Sequence, residues 1–136
     1  MGSSRFPGKP MEKILGIPMI EQVYQRVALN KTLTTTVVAT CDDVIAKHIN
    51  NIGGRAIMTG LQHERASDRC AEALLKVEAE DNCKFDIVVM VQGDEPMVHP
   101  DMIDEALSPM LVDKSILITN LLGEIATDTE FEDRNC

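Results

Sequence analysis

The stretch Asp86-Ile87-Val88-Val89-Met90-Val91-Gln92-Gly93-Asp94-Glu95-Pro96 changes character halfway along. Ile87 to Val91, with Phe85 just before, is an apolar run rich in β-branched side chains, which predicts a strand buried on both faces of a sheet. Gln92 to Glu95 are polar or small, and Pro96 cannot donate a ladder hydrogen bond, so the strand is expected to stop there. In open α/β sheets ligands bind beyond the carboxyl ends of strands, which puts these polar groups where chemistry is expected. The hard carboxylate of Asp94, next to a glycine that permits close approach, suits a Mg²⁺ ion bridging to phosphates. The same string also describes a capped strand followed by an acidic turn.

Upstream of it, strands and helices alternate. Pro18 is expected as a first helical residue, with Met19, Ile20, Val23 and Val27 at helical spacing through about Asn30. Thr34 to Thr40 reads as a strand, and the polar residues Thr40-Cys41-Asp42-Asp43 at its end also cap the next helix. That helix is expected over Asp43 to Asn51, with Val44, Ile45, His48, Ile49 and Ile52 on one stripe; a histidine on such a stripe is more often a packing residue than a ligand. Gly53-Gly54 stops it, and Arg55 to Thr59 is a short strand. The polar loop from Gly60 to Arg69 leads into a helix carrying Cys70, Ala71, Leu74, Leu75 and Val77, with Ser67 as its N-cap. Arg65 and Arg69 suit a base edge or phosphates, or equally a charged surface turn paired with Glu64 and Asp68.

Downstream, a helix from Pro100 to Leu107 is expected to turn Met102, Ile103, Ala106 and Leu107 inward. Ser108-Pro109 breaks it, with at most a short turn more, and Ser115 to Leu122 reads as a last strand before an acidic tail with nothing to bury. The alternation predicts an α/β class with a mainly parallel sheet.

Composition narrows the function. The chain has 136 residues, 44% hydrophobic and 26% charged, an ordinary balance for one globular domain. A net charge of −9 with no basic patch argues against nucleic acid as a partner, and no apolar run is long enough for a membrane span. With no leader-like N-terminus the cytoplasm is the expected location. Cys41, Cys70, Cys83 and Cys136 have neither metal-ligand nor disulfide-framework spacing, and His48, His63 and His99 are scattered. The first ten residues, Met1 to Pro10, form a Gly/Ser/Pro loop whose charges are Arg5 and Lys9. Pro10 stands where a P-loop needs Ser or Thr, so the loop offers backbone N-H groups, hydroxyls and two cations to a polyphosphate without being a P-loop; alone, it also describes a mobile tail.

Gly2-Ser3-Ser4-Arg5-Phe6-Pro7-Gly8-Lys9-Pro10, Val38-Ala39-Thr40 with Gly53-Gly54 and Met58-Thr59, and Val91-Gln92-Gly93-Asp94-Glu95-Pro96 together resemble the nucleotide-sugar cytidylyltransferases of the 3-deoxy-manno-octulosonate (CMP-Kdo synthetase) type. The similarity runs over most of the chain, and the last string is the most specific. The resemblance implies a doubly wound, Rossmann-like nucleotide-diphospho-sugar transferase fold. It also implies a Mg²⁺-dependent reaction in which the anomeric hydroxyl of an eight-carbon keto-sugar acid attacks CTP and releases pyrophosphate, a step of lipopolysaccharide synthesis. It places Ser3, Ser4, Arg5 and Lys9 on the triphosphate, Arg65 and Ser67 on CTP, Gln92 on the sugar and Asp94 on Mg²⁺, with Lys9 and Asp94 the catalytic pair.

Two features depart from that pattern. Where the family commonly reads His-x-Ser-Gly-Thr-[Asp/Glu]-Arg, this chain has His63-Glu64-Arg65-Ala66-Ser67-Asp68-Arg69, which leaves an amino-substituted Kdo or a sialic-like acid open as the sugar. Family members are nearly twice as long and form homodimers, so residues 1–136 are expected to be a partial domain lacking the first strand and the C-terminal half. Such a piece is expected to be inactive and poorly folded by itself, and a non-catalytic CTP-binding fragment is the alternative reading.

Overall fold

The computed structural model describes residues 8–133. A 3-10 turn at Lys9–Met11 leads into a hairpin of β1 (Lys13–Ile14) and β2 (Ile17–Pro18), paired antiparallel. Sequence patterning does not reveal this hairpin, because two-residue strands are too short to show alternation. Helix α1 (Met19–Ala28) follows, starting directly after Pro18, which stands at the N-cap and is not the first helical residue. Its buried residues Ile20, Val23 and Val27 are among those the spacing selects.

Then β3 (Val38–Thr40), α2 (Asp43–Asn51) and β4 (Ala56–Met58) form a parallel β-α-β unit, with Val38, Ala39 and Thr40 opposite Ala56, Ile57 and Met58. Asp42 caps α2, its carboxylate accepting the Val44 N-H at 2.8 Å. Gly53, at φ 81°, supplies the left-handed residue that ends the unit's helix. The apolar stripe of α2 is narrower than expected: Ile45, Ala46 and Ile49 are buried, while Val44 and Ile52 are exposed. His48 is a packing residue, its ring bonded to Glu21 of α1 at 2.7 Å.

Helices cover both faces of this pair. Ile20, Ile45 and Ile49 pack with Tyr24, Val38 and Ala56 on one side. On the other, Ala73 and Val77 of α3 (Ala66–Asp81) pack with Ile57, Ala39 and Phe85. A third cluster joins Val23 and Val27 of α1 to Ile103 and Leu107 of α4 (Pro100–Val112), over Ile87, Val89 and Val91. Asn30, buried just past α1, fixes that junction by donating to Pro100 O and Asp104 Oδ1 while accepting the N-H groups of Thr32 and Leu33. The result is α/β with helices on both sides of a parallel pair, the class the alternation predicts.

Several expectations are corrected. Residues 86–91 run without ladder hydrogen bonds, and their burial alternates: Ile87, Val89 and Val91 are half-buried against α1 and α4, whereas Val88 and Met90 are 49% and 46% exposed. A strand buried on both faces needs neighbours on both edges and a covered second face, and none of the described residues supplies them. Residues 115–122 are likewise outside any ladder, and of residues 34–40 only the last three pair. Helix α4 continues past Ser108 and through Pro109 to Val112, since a proline costs one backbone donor and the remaining turn closes through Asp113 N-H to Pro109 O at 2.9 Å. Met102 points outward, 44% exposed. A short helix, α5 (Asp128–Glu132), lies in the acidic segment expected to bury nothing, and its described residues are exposed.

Cys41, Cys70 and Cys83 are free thiols, and no helix among the described residues is long and apolar enough to cross a membrane.

Candidate active site

Beyond residue 91 the chain turns back on itself, with the Glu95 N-H donating to Gln92 O at 3.2 Å. Gly93 sits inside this turn, and a Cβ there would lie 3.0 Å from the Ile20 Cδ1 of α1. A side chain at that position would require the tip of Ile20 to give way by a few tenths of an ångström, so the glycine lets the turn lie close against the core. Asp94, next along, projects its carboxylate to the surface and accepts a hydrogen bond from Lys9 Nζ at 2.8 Å.

Lys9 arrives from the other end of the chain. Gly8, at φ 80°, precedes the 3-10 turn, and Pro10 stands in its first residues, so the turn that carries Lys9 has a defined backbone. The structure therefore brings together the cation and the carboxylate that head the loop and strand-end motifs, 85 residues apart in sequence. Ser3, Ser4 and Arg5 lie outside the described residues. Gln92 is exposed at the start of the same turn as Asp94.

Arg65 and Ser67 flank the start of α3 and are both exposed; among the described residues no hydrogen bond or ion pair ties either to Lys9 or Asp94. Ser67 is not the N-cap. Arg65 occupies that position with extended backbone and no side-chain cap, and Ser67 is already inside the helix. Arg69 is not available to phosphates either: it is buried, donating to Thr59 Oγ1 and to Gly60 O.

One turn further along α3, Glu72 collects three donors. Its carboxylate accepts the Gly60 N-H at 3.0 Å, the Lys76 ammonium at 2.8 Å and the ring of His63. Arg69, Glu72 and Lys76, which also donates to Met58 O at 2.6 Å, thus hold the loop after β4 from the helix that follows it. The motif reading missed Glu72; its only signal was the Glu72/Lys76 pair at i, i+4.

Lys76, then His63, then the Gly60 N-H lower the Glu72 carboxyl from its ordinary 4.5 to about 2. A depressed folded-state value contributes stability that is fully present above the unfolded value and is lost as pH falls through the folded one. The urea midpoint difference between the parent and Glu72→Gln is therefore expected to be largest near neutral pH and to shrink between about pH 4.5 and pH 2. A difference that stays constant over that window rules out the charged clamp.

A parallel pair covered by helices on both faces defines an α/β domain, and a cation and a carboxylate meet beyond the end of an extended segment, where ligands bind in this class. The cytidylyltransferase family model matches residues 1–135, and the chain belongs to the cytidylyltransferases, a family of nucleotidyltransferase enzymes. The 3-deoxy-manno-octulosonate cytidylyltransferases of Geobacter metallireducens and Geobacter sulfurreducens are 41% and 42% identical to it, over 95% of this chain and 48% and 49% of theirs. That of Syntrophus aciditrophicus is 39% identical over 98% of this chain and 52% of its own. A solved structure of CMP:2-keto-3-deoxy-manno-octonic acid synthetase complexed with CTP is similar at TM-score 0.77 and 40% identity, covering 85% of this chain and 45% of that one. The chain thus spans about half the length of the curated relatives it matches.

Proposed function

We infer that residues 1–136 form the CTP-handling part of an enzyme that transfers CMP from CTP to the anomeric hydroxyl of 3-deoxy-manno-octulosonate, for lipopolysaccharide synthesis. The observation that carries this reading is the meeting of Lys9 and Asp94 at 2.8 Å. In the reaction the sugar oxygen forms a bond to the α-phosphorus while the bond from that phosphorus to the pyrophosphate oxygen breaks, and the hydroxyl proton is lost. Lys9, with Ser3, Ser4 and Arg5 of the same sequence motif, binds the triphosphate and meets the charge that develops on the leaving pyrophosphate. Gln92 orients the sugar, and Arg65 and Ser67 hold the nucleotide from the start of α3.

Asp94 is the residue of this chain suited to Mg²⁺. Among the described residues no group of three or more carboxylates, histidines or cysteines comes together as a cage. One exposed carboxylate fits the way Mg²⁺ is commonly held, by one or two carboxylates together with substrate phosphates. When bound, the ion supplies charge neutralisation on the α-phosphate and the leaving group.

Arg65 favours a second reading. It is an exposed cation at the head of α3, where the family pattern quoted above commonly has serine, and it suits an acid sugar with a different substituent, such as an amino-Kdo or a sialic-like acid. Calorimetric titration of the chain with CTP in Mg²⁺, and pyrophosphate release by a graft of residues 1–136 into the matching segment of the Geobacter sulfurreducens relative, test both. CTP uptake by the chain, and release with Kdo above the other acid sugars by the graft, are expected. Uptake and release both absent sink the function, and a preference for another acid sugar selects the second reading.

A further inference from the structure

Lys9 and Asp94 are each a little over a third exposed, 38% and 39%, and among the described residues each is the other's one charged partner. The ammonium is bonded to Oδ2, and a compact, strongly hydrated point charge of this kind occupies a carboxylate much as a small metal cation does. We propose that Lys9 is a resident counter-ion of Asp94 that has to leave before a divalent cation can bind there, so that the cation enters together with the nucleotide and not ahead of it. This rests on the reading of Asp94 as the metal carboxylate.

The charges balance through the exchange. Without ligand, Lys9 neutralises Asp94. When a nucleotide arrives carrying a divalent cation, the polyphosphate oxygens take the ammonium and Asp94 takes the cation, so neither charge is left unpaired at either stage. A free divalent cation has no such replacement to offer Lys9 and has to displace it outright. The same side chain therefore opposes the free cation and favours the cation-nucleotide complex, an inversion of sign that a merely structural role would not produce.

The test is Mn²⁺ binding to the 136-residue chain, read without CTP by the loss of the free-ion electron paramagnetic resonance signal, and with CTP by the Mn²⁺ and nucleotide retained together on the protein side of an equilibrium dialysis. Exposed ion pairs are worth little, so Lys9→Met is expected to tighten free Mn²⁺ by about two- to fivefold. In the presence of CTP the same variant is expected to weaken uptake of Mn²⁺ with the nucleotide. Lys13→Met removes one positive charge from an exposed residue of β1 that makes no contact with Asp94, and isolates the effect of net charge. Asp94→Asn is expected to remove the site.

Free Mn²⁺ binding no tighter in Lys9→Met than in Lys13→Met, with the site still lost in Asp94→Asn, overturns the exchange and leaves the metal reading standing. Mn²⁺ binding unaltered by Asp94→Asn overturns the metal reading and the exchange with it.

Discussion

Asp94→Asn, introduced into the graft that carries residues 1–136, is expected to cut pyrophosphate release by on the order of a thousandfold, because a metal-ion contact of this kind is worth several kcal/mol in a transition state. The substitution changes almost no volume and removes one charge. Asp94 is exposed, and its one bond among the described residues is to Lys9, so the fold has little to lose. The far-ultraviolet circular dichroism and the thermal midpoint are therefore expected to stay where they are while turnover disappears. Turnover within a few-fold of the parent at saturating Mg²⁺ would take the metal away from Asp94, and a collapsed spectrum would show that the residue is structural.

The largest effect on stability is expected at Ile49. It is the only described side chain with no measurable exposure, and it packs with Ile20 and Ile45 beneath Val38 and Ala56 of the parallel pair. It also lines the close approach of Gly54, where an added Cβ would fall 2.8 Å from Ile49 Cγ2 and 2.9 Å from the Tyr24 ring. Ile49→Ala empties a site that α1, α2 and the strands hold open from three directions, and it is expected to cost about 2–5 kcal/mol. Against a typical domain stability of about 5–15 kcal/mol, this is enough to lower the urea midpoint severely or to abolish cooperative unfolding. A shift below about 1 kcal/mol would mean that the helices close over the gap, and that the core between α1 and α2 is looser than the packing indicates.

The elements that could be read from sequence are those whose signal is local. Helix α2 has the predicted bounds because an Asp cap, a 3.6-residue stripe and a Gly-Gly stop all lie within a dozen residues. Residues 86–91 were misread for the opposite reason. Their composition reports the environment the segment is suited to, but a ladder depends on neighbours that are distant in sequence, and among the described residues those neighbours are absent.

The site divides along the same line. Lys9 and Asp94 stand in strings distinctive enough to be singled out, and the fold then brings them together. Glu72 and Lys76 stand in no such string. Their importance comes from a loop that bends back on the following helix, which only the three-dimensional arrangement shows.

The unpaired run of residues 86–91 also has a thermodynamic meaning for the turn mounted on its end. Asp94 is held by a segment that is packed on one face and, among the described residues, has no backbone hydrogen-bond partners, the features that mark a locally weak part of a fold, where the geometry that presents the carboxylate competes with others. Ligand affinity is reduced by the fraction of time the competent arrangement is absent. Any strand that paired with residues 86–91 would raise that fraction, and would tighten binding at Asp94 while touching neither the ion nor the nucleotide. The sheet edge and the site are in this sense linked equilibria, and each ligand bound at Asp94 would in turn hold the edge in order.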